Sequence, residues 1–134
     1  MRVVLVEDSA LIAGELLKRL EQQSLQMAGW AMDEDGGVAM ITGAQPDAVI
    51  LDLSLPVGSG LGVLKRIRAA GSTARVLVLS NFDHPEMRSA CFQAGANSFF
   101  DKHTQVDECI RELTQLKDEA MSSMPSLPRN TVGE

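Results

Sequence analysis

Cysteine is scarce in this chain, basic residues are outnumbered and no apolar run is long. The two cysteines, Cys91 and Cys109, are too few to staple a small secreted domain. Both fall on apolar faces of helix-period stretches, so they are expected as reduced core residues. Twelve Lys and Arg against eighteen Asp and Glu leave a net charge of −6, the wrong sign for a nucleic-acid surface. No apolar run approaches the ~20 residues of a membrane span. The apolar start Val3-Val4-Leu5-Val6 stops at Glu7-Asp8, which argues against a signal peptide. What is present is ordinary: 134 residues, 45% hydrophobic and 22% charged, enough for one globular domain and short of two. A soluble cytoplasmic domain with no membrane and no direct nucleic-acid contact is the expectation.

Short apolar runs alternate with helix-period stretches about five times. The runs are Val3–Val6, Met27–Met32, Ala48–Leu53, Val76–Leu79 and Ser98–Phe100. Four are rich in Val, Ile, Leu or Phe, as strands buried on both faces require. The second, with Gly29 and Trp30, is the weakest strand. Between them, Ile12, Leu16, Leu17 and Leu20 recur at three- and four-residue steps. So do Leu61, Leu64 and Ile67; Met87, Cys91 and Ala94; and Val106, Ile110, Leu113 and Leu116. Residues 36–43 make a poorer helix, loosened by Gly36, Gly37 and Gly43. Gly71 and Gly95 sit where helix ends favour a left-handed residue, and Pro85 suits a helix's first turn. Such alternation predicts an α/β domain, a doubly wound parallel sheet covered by helices on both faces. After about Lys117 the apolar period fails. The domain is therefore expected over 1–118, with 119–134 a flexible tail.

In a sheet of this kind the chemistry gathers beyond the carboxyl ends of the strands. The first strand delivers Glu7 and Asp8 there, the third Asp52, the fourth Ser80 and Asn81, and the fifth is followed by Lys102. Three clustered carboxylates repel one another and need a cation, and hard oxygen donors with room for water suit Mg²⁺. A carboxylate beside such an ion can attack a phosphoryl group. A lysine and a hydroxyl can then offset charge on the transferring oxygens. The expected product is an aspartyl phosphate on Asp52.

These residues, in this order and at these separations, resemble the response-regulator receiver domain of bacterial two-component signalling. The resemblance covers about residues 2–118. Its carriers are Glu7-Asp8, Asp52 within Leu51-Asp52-Leu53-Ser54-Leu55-Pro56, Ser80 closing Val76-Leu77-Val78-Leu79-Ser80, and Lys102 closing Gly95-Ala96-Asn97-Ser98-Phe99-Phe100-Asp101-Lys102. It implies a flavodoxin-like sheet of five strands in the order 2-1-3-4-5 with five flanking helices. It implies Asp52 as phosphoacceptor, and Mg²⁺, with Mn²⁺ as a substitute, held by Glu7, Asp8, Asp52 and the backbone carbonyl of Ser54. Ser80 and Lys102 would each bind a phosphoryl oxygen, with Ser80 and Phe99 as the switch pair and Ser54 and Phe82 flanking access to the pocket. A sensor histidine kinase or phosphotransfer protein would donate, and output would pass through the face of helix 4, strand 5 and helix 5 to an unidentified protein. The domain would work as a monomer or a phosphorylation-linked dimer. It would catalyse nothing beyond its own phosphorylation and dephosphorylation.

The chain departs from the family pattern at His103, where many members carry a proline, which puts the rigidity of that loop in question. Other readings of the same residues are weaker. Gly58-Ser59-Gly60-Leu61-Gly62 invites a dinucleotide-binding reading, but the third glycine of that fingerprint falls on Val63, so a tight turn is expected. A phosphatase would want a second aspartate at Ser54. His84 and His103 lack metal-ligand spacing, and Trp30 is expected to serve packing or a partner contact. The remaining functional alternatives are a fragment of a longer DNA-binding regulator and an interaction module that takes no phosphate.

Overall fold

The computed structural model describes residues 1–81 and 84–122. Strands and helices alternate without exception. The order is β1 (Arg2–Val6), α1 (Ala10–Gln22), β2 (Gln26–Ala31), α2 (Glu34–Ala44), β3 (Ala48–Leu51), α3 (Gly60–Ala69), β4 (Arg75–Ser80), α4 (Pro85–Gln93), β5 (Ser98–Asp101) and α5 (Val106–Ser122). All strand pairs are parallel, in the spatial order β2-β1-β3-β4-β5. The order reverses between β1 and β3, which opens a crevice beyond their carboxyl ends.

Side-chain alternation along the strands feeds two separate cores. Val4, Val6, Val49, Leu51, Val76 and Val78 face α2, α3 and α4, meeting Ile41, Val63, Leu64, Ile67 and Cys91. Val3, Leu5, Ile50, Leu77 and Leu79 face α1 and α5, meeting Leu16, Leu20, Ile110 and Leu113. Apolar residues at consecutive positions of one strand are thus buried on opposite faces, and this is why the runs read as unbroken apolar stretches. Cys91 and Cys109 are free thiols inside these cores, and burial pushes the Cys109 thiol up to about 12.

The helices begin at the carboxyl edge of the sheet, and α1 to α4 each carry a recognisable start signal. Ser9 Oγ accepts from Ile12 N at α1, Asp33 Oδ1 from Gly36 N at α2, and Ser59 Oγ from Gly62 N at α3. Pro85 opens α4 directly after His84. Gly71 and Gly95 adopt the left-handed region, with φ of 91° and 108°, as their places after α3 and α4 require.

Three boundaries differ from expectation. The glycine-rich stretch near residue 40 forms a full helix, α2, because the Asp33 cap, Glu34 and Asp35 in its first turn and buried Ile41 outweigh the glycines. β3 ends at Leu51, two residues early, although the Asp52 amide still donates to Val6 O. α5 continues past Lys117 to Ser122. Glu119, Ala120 and Met121 are exposed helix formers, so they extend the helix without contributing an apolar period. Residues 123–134 of the expected tail lie outside the described residues.

Candidate functional site

Each strand feeding the crevice ends in a residue with donor or acceptor chemistry. β1 runs into Glu7 and Asp8, β3 into Asp52, β4 closes on Ser80, and β5 is followed by Lys102. Glu7, Asp52 and Ser80 are buried polar residues, whereas Asp8 is exposed.

The side chains of four of these residues meet. Lys102 Nζ lies 2.6 Å from Glu7 Oε1 and 3.0 Å from Asp52 Oδ2, with only 8% of the lysine side chain exposed. One carboxylate oxygen from each of Glu7, Asp8 and Asp52 lies within 4.8 Å of the others. Asp52 Oδ1 also accepts from the amide of Ser54, at 3.2 Å. Ser80 stands opposite Asp101 across β4 and β5, and its carbonyl accepts from the Lys102 amide at 2.9 Å, so the last rung of the sheet aims the lysine. Phe99, one of the inward residues of β5, is buried against the α2–α4 core. Phe82 lies outside the described residues.

The electrostatics favour a cation. Three carboxylates against one ammonium leave two negative charges, which one divalent ion neutralises. Burial pushes the Glu7 carboxyl above its ordinary range, against the pull of Lys102 and the Ser9 amide, and nearby Asp52 adds to the rise. Burial alone would lower Lys102; its bonds to Glu7 and Asp52 outweigh that and hold it above its ordinary value. The donor set is oxygen only, hard and partly open to water, which fits Mg²⁺ or Mn²⁺. At a metal–oxygen distance near 2.1 Å, opposed ligands stand about 4.2 Å apart. One oxygen from each of the three carboxylates lies within 4.8 Å of the others, a spacing that a single ion between them could bridge.

The loop from Asp52 to Gly60 folds back on itself. Ser54 and Ser59 form an antiparallel bridge and Gly58 has φ 81°, so the expected tight turn is confined to Gly58 and Ser59, and Gly60 to Gly62 form the first turn of α3. Glu34 clamps this loop from α2. Its Oε1 accepts from Ser59 N at 2.9 Å, its amide donates to Val57 O, and Arg66 pairs with Glu34 and Asp35. At Gly60 the helix start presses on the phosphoacceptor segment. A Cβ there would lie 2.7 Å from Leu53 Cα and 2.9 Å from the Asp52 carbonyl carbon. Gly60→Ala is therefore expected to cost about 1–3 kcal/mol in urea unfolding, and to weaken Mg²⁺ binding measured by calorimetry.

The loop after β5 lacks the family proline and is held another way. Asp101 Oδ1 accepts from the amides of His103 and Thr104, the Asp101 amide donates to Gln105 Oε1, and Gln105 N donates to Asp101 O. These four bonds tie residues 103–105 to Asp101 at the end of β5, where many family members would have a proline. Sequence reasoning missed Glu34 and Asp101, and also Arg88, whose guanidinium sits 4.8 Å over the Phe99 ring. It gave Trp30 only packing or a partner contact, yet the indole N–H donates to Glu7 O at 2.6 Å.

Residues 3–114 match the family model described as the response regulator receiver domain. This chain belongs to that family. It is 34% identical over 116 residues to the transcriptional regulatory protein QseB of Haemophilus influenzae, covering 87% of this chain and 52% of that protein. The non-phosphorylated HemR receiver domain of Leptospira biflexa superposes with a TM-score of 0.77 at 28% identity, over 85% of this chain and 91% of that one. The fold is also that of a chain in the CheX–CheY–BeF3–Mg²⁺ complex of Borrelia burgdorferi, with a TM-score of 0.81 at 21% identity, covering 87% and 88%. The receiver spans about half the length of the curated regulators it matches. It is a signalling domain of two-component systems, and no described helix is long and apolar enough to cross a membrane.

Proposed function

We propose that this receiver is the phosphoacceptor switch of a two-component phosphorelay, with Asp52 as its nucleophile. The observation that carries the reading is Asp52 itself, a buried carboxylate paired with Lys102 beside Glu7 and Asp8. A carboxylate buried there is costly unless charge nearby answers it, and this one faces an ammonium and an acidic cluster.

The phosphoryl donor is a phosphohistidine of a sensor kinase or phosphotransfer protein. An Asp52 carboxylate oxygen forms a bond to phosphorus as the nitrogen–phosphorus bond of the donor breaks. The donor ring, protonated on its other nitrogen, keeps the bonding pair and leaves as neutral imidazole, and Asp52 becomes an acyl phosphate. Lys102 pairs with one phosphoryl oxygen, and the Ser80 hydroxyl donates to another. The Ser54 amide holds Asp52 in line. Asp8 and Asp52, with the Ser54 carbonyl, would hold Mg²⁺, and Glu7, already engaged by Lys102 and Ser9, would add its negative charge to the site, directly or through water. When bound, the ion draws charge off the phosphoryl oxygens.

Once Asp52 carries a phosphoryl group, Lys102 and Ser80 gain a new partner. Ser80 and Phe99 then bias an equilibrium already present in the unmodified domain. The α4–β5–α5 face carries the output, as a monomer or a phosphorylation-linked dimer, in the cytoplasm. The switching unit covers about residues 1–118 and turns over no other substrate. Membership in a longer DNA-binding regulator is the second reading, favoured by relatives named as transcriptional regulators, of which the matched receiver is only about half.

The test is incubation with Mg²⁺ and acetyl phosphate, followed by intact mass spectrometry and chemical-shift mapping. One added phosphoryl group with shifts reaching Phe99 and α4 is expected. A folded, Mg²⁺-bound sample that takes up none would favour a phosphate-independent interaction module. Shifts confined to the acidic pocket would sink the switch.

A further inference from the structure

The β1–β2 pairing contains an irregularity with a consequence at the acidic pocket. Val3 pairs with Met27 and Val4 with Gly29, so Ala28 is an extra residue in β2. A bulge of this kind turns the residues after it over to the other face. Met27 packs on the α1–α5 core and Ala28 on the opposite one. In a regular strand Trp30 would share the face of Ala28. The bulge instead sets Trp30 beside Leu5, on the α1 side.

There the indole does the work of a missing rung. The Glu7 amide donates to Ala31 O at 2.9 Å, the last β1–β2 rung. The next rung of a parallel ladder would bring the Asp33 amide to Glu7 O. Asp33 has already left the sheet to cap α2. The Trp30 indole N–H donates to Glu7 O in its place, at 2.6 Å. Every polar atom of Glu7 is then held: its amide by Ala31, its carbonyl by Trp30, and its two carboxylate oxygens by Lys102 and the Ser9 amide. The carbonyl that Trp30 fixes belongs to the peptide joining Glu7 to Asp8. That peptide plane places the Asp8 Cα, and so limits the positions its exposed carboxylate can reach.

We propose that Trp30 is a positioning residue of the acidic pocket. Its indole N–H fixes the Glu7–Asp8 peptide so that Asp8 faces Asp52, and cation binding is read back at the indole. The inference rests on the reading that Asp8 and Asp52 hold a divalent cation. Because Trp30 is the sole tryptophan, the protein has a single indole N–H resonance, which makes the coupling directly observable.

The experiment is a calorimetric Mg²⁺ titration of the parent chain and of Trp30→Phe, which keeps the ring and deletes the N–H. Circular dichroism and urea unfolding check the fold of the variant. In parallel, the indole N–H resonance of the parent is followed by nitrogen-labelled NMR through the same titration. Mg²⁺ affinity is expected to fall roughly fivefold in Trp30→Phe, the size of one lost hydrogen bond. The indole resonance is expected to shift with the calorimetric dissociation constant, and to stay fixed in Asp8→Asn. A merely structural role would lower the urea midpoint and leave Mg²⁺ affinity unchanged, and that result overturns the proposal. An indole resonance that Mg²⁺ does not move overturns it too, and decides the matter alone if Trp30→Phe does not fold. A parent chain that binds no Mg²⁺ overturns the phosphoacceptor reading, and this inference falls with it.

Discussion

Asp52→Asn is expected to abolish phosphoryl uptake from acetyl phosphate, lowering the rate by a hundredfold or more, about 3 kcal/mol of barrier. The amide matches the carboxylate in shape but has no anionic oxygen to attack phosphorus. Lys102 keeps its bond to Glu7, so the fold should survive and the loss should be chemical. Intact mass against time, with circular dichroism as a control, checks this. A variant that still takes up phosphoryl at the parent's rate would move the nucleophile elsewhere. Mg²⁺ affinity should fall as well, because one of the three clustered carboxylates is gone.

Lys102→Ala is expected to produce the largest change in stability. The Lys102, Glu7 and Asp52 side chains are 8%, 2% and 6% exposed, so deleting the ammonium strands two buried carboxylates. Breaking a buried pair in this way costs about 3–5 kcal/mol, and urea unfolding in Mg²⁺-free buffer at pH 7 should show it. Two changes should restore part of the loss. Mg²⁺ adds back positive charge, and by mass action a concentration a hundred times its dissociation constant returns about 2.7 kcal/mol. Lowering the pH also helps. The Glu7 carboxyl already titrates above its ordinary value of 4.5 because it is buried. The folded state then binds more protons than the unfolded one in the range just above 4.5, and stability rises as pH falls through it. Without Lys102 that rise should be steeper. In the parent, Lys102 titrates above 10.5 because its hydrogen bonds to Glu7 and Asp52 outweigh burial. Its contribution is therefore intact at neutral pH and fades only as pH rises beyond that value. A variant as stable as the parent in Mg²⁺-free buffer would show that the lysine does not answer the buried carboxylates.

Much of this site could be read from the order of residues because strand ends are legible. An apolar run that stops on Asp or Glu marks the point where the chain leaves a two-faced core. Glu7 and Asp8 stand at one such point, Lys102 directly follows another, and Asp52 interrupts the run from Ala48 to Leu53. The doubly wound sheet followed from the same alternation. Contacts that depend on side-chain reach across the fold were not legible. Trp30 and Glu7 are 23 residues apart, and Glu34 and Ser59 are 25 apart. Nothing local announces that an indole replaces a sheet rung or that a carboxylate clamps a loop. The bulge at Ala28 is equally silent, because a single extra residue disturbs only a weak strand pattern. Helix α5 overran its expected end because propensity carried it past the last buried residue, and periodicity reports only burial.

Locating the phosphoryl group tests the role of Asp52 most sharply. After reaction with acetyl phosphate and Mg²⁺, reduction with borohydride traps an acyl phosphate at its own residue, and peptide mapping by mass spectrometry names the position. Modification at Asp52 alone is expected, lost when Mg²⁺ is chelated before the donor is added. Modification at Asp8, at another carboxylate, or at Asp52 without any need for a divalent cation would contradict it.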